Sequence, residues 1–160
     1  MTWSLRIFNG DLIKGLNNSL DTVRGSEKVV QDLICWIKEP IGSDPLNPDL
    51  GSFIDQGGEG ETYLVRNEAV SLPSNYSDLV ISEITRLIKD YQRKQSVNIE
   101  NEMSQFGRIV TFQPDEIIND FKINYVQNYD TLYVSVNLKS VSGEYMFNIP
   151  VKSEAVIRGI

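Results

Sequence analysis

Apolar positions in this chain recur first with helical and then with strand period. Val29, Val30, Leu33, Ile34 and Ile37 return every three or four residues, which predicts a helix capped by Ser26 and ended by Pro40. A second helix begins near Ser77, with Leu79, Val80, Ile84, Leu87, Ile88 and Tyr91 on one face and Glu83, Arg86, Lys89, Asp90 and Arg93 on the other. Lys94 to Gln105 is polar and either extends that helix or unwinds. From Phe121 the period becomes two. Phe121, Ile123 and Tyr125, then Leu132, Val134, Val136 and Leu138, then Tyr145, Phe147, Ile149 and Val151 alternate with polar neighbours and read as three strands. The links Gln127 to Asp130 and Ser140 to Glu144 have hairpin length, so an antiparallel meander is the economical topology, and Pro150 places the third strand at an edge or its own position at an unpaired site.

The predicted fold is therefore α+β: two main helices packed on a C-terminal antiparallel β-meander, in a single domain over residues 1–160. Residues 1–20 form an N-terminal arm, in which Ser4 to Lys14 suits a short strand or an extended segment able to add to another protein's sheet. Glu39 to Ser52 holds three prolines and two glycines and reads as a rigid loop. Residues 53–73, with the GGEGE run, read as an irregular, mobile excursion, and 117–151 as the meander.

Composition narrows the chemistry. No histidine is present, which removes Ser-His-Asp and Cys-His catalysis and imidazole metal ligation. Twenty-two acidic and fifteen basic side chains give a net charge of -7, which opposes nucleic-acid and anionic-membrane binding overall while leaving room for a local basic patch. With no apolar run near the ~20 residues that span a bilayer and no signal-peptide pattern, the chain is expected to be soluble and unexported, so the two glycosylation sequons at Asn17 and Asn75 are chance matches. Cys35 is the lone cysteine and reads as a structural thiol. Gly57 to Glu61 lacks the lysine of a phosphate loop, and Asp44, Asn47, Asp49 and Asp55 do not have EF-hand spacing. Glu59/Glu61, Glu100/Glu102 and Asp115/Glu116 are carboxylate pairs of the kind glycoside hydrolysis uses, but in polar contexts solvated charge explains them better. No cofactor, no metal and no enzymatic activity are expected. Among the tyrosines, alternation turns Tyr125 and Tyr145 toward the core and leaves Tyr133 as the contact candidate.

The loop Glu39 to Ser52 resembles the signature loop of the contractile-tail phage baseplate wedge family, which is related to a type VI secretion baseplate subunit and whose members have been labelled lysozyme-like. The family pattern runs Thr-Pro-Lys-Gly-Glu-Arg, two apolar residues, Arg, then Pro-Asp-Phe-Gly-Ser. Pro40, Gly42, Pro48, Asp49, Gly51 and Ser52 fall on its positions without a gap, and Leu50 replaces the aromatic residue. Ser43, Asp44 and Asn47 stand where the family has Glu, Arg and Arg. A Glu-Pro-Arg-Ile-type motif follows in the family. Pro114-Asp115-Glu116-Ile117 occupies its place without the Pro-Arg step, so Glu116 alone carries over. Gly57 to Pro73 and Lys94 to Gln113 would be insertions.

The resemblance implies a structural subunit of a hexameric assembly in the virion tail baseplate, put together in the host cytoplasm. It would dock on the helical bundle of other wedge proteins through Pro40, Gly42, Pro48, Asp49, Gly51, Ser52, Glu116 and Tyr133. It would then start the first ring of tail sheath protein by β-strand augmentation, with hub and tube proteins as further candidate contacts and no nucleic acid or membrane. Candidate edges are the arm, the strand Tyr145 to Val151 and the tail Lys152 to Ile160. A free-standing adaptor is the alternative, and a glycan hydrolase a remote one.

Overall fold

The computed structural model describes residues 2–8, 11–52, 54, 76–128 and 131–152. The excursion after the loop, including the GGEGE run, and the tail beyond Lys152 lie outside them. The fold is α+β, as the change of period predicts. Strands β1 (Trp3–Leu5), β2 (Ile7–Phe8), β3 (Asp11–Leu12) and β4 (Thr22–Arg24) precede helix α1 (Gly25–Lys38). Helix α2 (Tyr76–Phe106) then leads to β5 (Ile118–Asn128), β6 (Thr131–Ser140) and β7 (Glu144–Lys152).

The last three strands form the antiparallel meander β5-β6-β7. Its register puts Phe121, Leu138 and Tyr145 in one row and Ile123, Val136 and Phe147 in the next, so one face of all three strands is apolar. That face meets the buried stripe Val29, Leu33 and Ile37 of α1 and Val80, Ile84, Leu87, Ile88 and Tyr91 of α2 in one core. Trp36 and Tyr91 meet edge to face with centroids 5.2 Å apart, which joins the two helices. Pro150 sits on β7, an outer strand of the sheet, where its missing N–H costs least.

Helix α2 resolves the open boundary. It runs through Lys94 to Gln105 without a break, about 46 Å at the helical rise. Beyond Gln95 most of its residues are exposed, including Val97, Met103 and Phe106, so its last turns extend past the core. The chain turns back there because the Glu102 carboxylate accepts the N–H groups of Val110 (2.7 Å) and Thr111 (3.0 Å).

Four local readings change. Ser26 does not cap α1: it lies inside the helix, and its own N–H donates to the Asp115 carboxylate at 3.1 Å. Glu83, expected on the solvated face of α2, is 7% exposed, since the Arg86 guanidinium grips both its oxygens (2.7 and 3.1 Å) and compensates the buried charge. The arm forms strands, but they are paired within the chain. β1 joins β4, β2 joins β3, and the Gln31 amide of α1 accepts from the Ile7 N–H (3.0 Å) and donates to the Leu5 carbonyl (2.8 Å), acting as a one-residue strand partner. Tyr125 does lie on the helix-facing side, in register with Val134, yet it is 46% exposed because it sits on an outer strand beside the hairpin turn.

Candidate functional site

The loop Glu39 to Ser52 is closed at its neck by backbone pairing. Helix α1 ends when the Glu39 N–H bonds the Cys35 carbonyl and Pro40 fails to continue the ladder. On the return, the Ser52 N–H donates to the Glu39 carbonyl (2.8 Å) and the Ile41 N–H to the Ser52 carbonyl (3.1 Å). The Ser52 hydroxyl donates to the Ile37 carbonyl (2.5 Å), satisfying one of the orphan acceptors at the helix end, and accepts from the Ile54 N–H (3.0 Å). Gly51 has φ +104, and a Cβ there would stand 2.4 Å from the Glu39 carbonyl oxygen. Only glycine fits a neck this tight. Arg86 pins the loop to α2 by donating to the Gly51 carbonyl at 2.8 Å.

At the tip, the Asp44 carboxylate accepts from the Leu46 N–H (2.9 Å) and the Asn47 side chain (3.0 Å), an Asx turn. The Asn47 hydrogen bond, then that of Leu46, holds the Asp44 carboxyl below its usual range. Ser43 donates to the Glu39 carboxylate. Ser43, Asp44 and Asn47 thus stabilise the tip by local hydrogen bonds. Of the matched positions, Gly51 and Ser52 are buried in the neck, whereas Pro40, Gly42, Pro48 and Asp49 are exposed, Pro48 and Asp49 on the side that faces α2.

Glu116 does not share that surface. It is 1% exposed, its Oε1 accepting from the Thr2 hydroxyl and its Oε2 from the Gln113 N–H, both at 2.8 Å. Its carbonyl takes the Gln95 amide at 2.5 Å, and Gln95 in turn accepts the Ile118 N–H at 3.2 Å. As a contact for a partner this residue is corrected: its carboxylate serves the interior, tying the arm to the segment that leads into β5. Asp115 beside it is the helix cap of α1. Pattern reading missed Asp115, Gln95 and Gln31, because each bonds a group more than twenty residues away and leaves no periodic trace.

Tyr133 is 50% exposed and stands on the outer face of the sheet, between Val126 on β5 and Pro150 on β7 in the same row. Within the described residues β5 and β7 each have one unpaired edge. Tyr145 faces the core side, and its hydroxyl is buried with no hydrogen-bond partner among the described residues. Burial, followed by the charges of Asp115 and Glu116, pushes its pKa up to about 12.

The other chemically suggestive groups stand apart. Cys35 is half-buried, and burial, then Asp32, raises its thiol pKa, which disfavours the reactive thiolate. Glu100 is exposed on α2, Glu102 is engaged by Val110 and Thr111, and Glu59 and Glu61 lie outside the described residues. Among the described residues no three His, Cys, Asp or Glu side chains gather as a metal site, and no helix is long and apolar enough to cross a membrane. No family model, curated protein or solved structure matches this chain.

Proposed function

We propose that this chain is a structural wedge subunit of a contractile phage tail baseplate, without enzymatic activity. In that role the loop Glu39 to Ser52 docks on neighbouring wedge proteins, and the sheet offers a free edge to which a strand of the first tail sheath ring adds. The observation that carries the reading is the ungapped match of Pro40, Gly42, Pro48, Asp49, Gly51 and Ser52 to the wedge signature. It gains support from the physical roles of those residues: Gly51 and Ser52 close the neck of the loop, where glycine is required at position 51, and Gly42, Pro48 and Asp49 are exposed on the loop that the neck carries. Strand addition requires unsatisfied backbone groups at an edge, and β7, whose nine residues pair on one side only among the described residues, supplies them. The arm is a poorer donor, since its strands are already paired within the chain.

Mass spectrometry of purified virions, with tails separated from heads, tests the proposal. Peptides of this chain are expected in the tail fraction at a copy number far below that of the sheath protein. Their absence from intact tails would reject the virion role. Turnover of peptidoglycan by the purified chain would reject the non-enzymatic part.

A further inference from the structure

The chain is acidic overall, yet the groove between the loop and α2 is lined by cations. Arg86, Lys89 and Arg93 follow one another at three- and four-residue steps along one side of α2, with Lys94 adjacent, and the loop residues Leu46 to Leu50 form the opposite wall of a cleft of about 600 Å³. Three local acids, Glu83, Asp90 and Asp49, offset three of these four charges. Glu83 is engaged by Arg86, and Asp90 is shared between Arg93 (2.5 Å) and Lys94 (3.5 Å). Lys89 is exposed and has no carboxylate within ion-pair distance among the described residues. The rim adds an apolar element: Leu46 is 89% exposed at the loop tip, held there by the Asp44 turn.

We infer that this groove is the docking site for an acidic segment of a partner protein, whose carboxylates meet the Arg86, Lys89 and Arg93 stripe while an apolar side chain packs on Leu46. The stripe spans about 10 Å, two helical turns, so carboxylates at matching spacing on a partner helix reach all three cations at once. Charge complementarity of this kind steers encounter and fixes register, and the leucine rim adds the desolvated contact that a purely ionic pairing lacks. A nucleic acid is the poorer occupant, since the rim is an aliphatic leucine and, among the described residues, the groove lining holds no aromatic ring on which a base could stack. The inference deepens the proposed docking role of the loop, and rests on it, by giving the chemistry of the partner.

The test is fluorescence anisotropy of a labelled helical peptide, glutamate at i, i+3 and i+7 with leucine between, titrated with the full chain. Saturable, salt-sensitive binding is expected, weakened about tenfold or more by Lys89→Glu with Arg93→Glu and severalfold by Leu46→Ala. Lys89→Ala alone disturbs no ion pair among the described residues and serves as the variant whose fold is safe; it should weaken binding measurably. Failure to saturate, equal affinity in all variants, or equal displacement by single-stranded DNA would overturn the inference. Because virion composition is measured separately, a chain found in tails that ignores the peptide would refute this inference alone, and one that binds the peptide but is missing from tails would refute the wedge reading alone.

Discussion

Replacing Gly51 by alanine tests the physical basis of the loop. At φ +104 an L-residue is strained by about 1–3 kcal/mol wherever it sits. The surroundings add to that. The new Cβ would lie 2.4 Å from the Glu39 carbonyl oxygen and 3.0 Å from the Pro40 carbonyl group, backbone atoms that cannot swing aside as a side chain would. That same Glu39 carbonyl accepts the Ser52 N–H, so relief of the clash breaks at least this bond and strains the Arg86 anchor, another ~1–2 kcal/mol. The total is a loss of about 2–5 kcal/mol, which at a slope of about 2 kcal/mol per molar urea moves the unfolding midpoint down by roughly 1–2.5 M. Gly42→Ala is the internal control. It has φ +81 but open space around its Cβ, so the strain acts alone and the loss should stay near 1 kcal/mol. Urea denaturation followed by Trp36 fluorescence reads both variants. A Gly51→Ala midpoint equal to that of Gly42→Ala would refute the argument that neck closure, and not backbone conformation alone, demands glycine.

Three further outcomes follow from the same geometry. Asp115→Ala removes the cap of α1 and should cost about 0.5–2 kcal/mol in the same urea assay, while Ser26→Ala should cost less than 0.5. Tyr145→Phe deletes a buried hydroxyl without a partner among the described residues, so stability should hold or rise by up to ~1 kcal/mol; a clear loss would show that the hydroxyl is satisfied in solution. Asp44 and Glu102 have carboxyls held below their ordinary values of 3.8 and 4.5 by hydrogen bonds they accept. What they contribute is complete above those values and fades as the pH drops through the lower folded-state values, so the urea midpoint should fall on acidification below about pH 4.5, and less steeply in Asp44→Asn with Glu102→Gln.

The sequence by itself determined the elements whose cause is local. Apolar period produced α1, the start of α2 and all three strands of the meander, and proline with glycine produced the loop, because helix and strand each bury one face and a proline ends a ladder wherever it stands. It also marked Tyr133 as exposed, since alternation with Val134 decides which face a residue takes. Only the tertiary structure decided the fate of the polar residues. Glu83 and Glu116 look like surface charge in a one-dimensional pattern, yet both are buried, because Arg86 in one case and Thr2 with Gln113 in the other supply the partners that make burial tolerable. The cap of α1 comes from Asp115, eighty-nine residues along the chain from Ser26, and the arm is tied down by Gln31 of α1 and Glu116 as well as by its pairing with β4. A buried polar group goes wherever its hydrogen bonds can be met. That condition is set by which segments meet in space, so no window of neighbouring residues contains it.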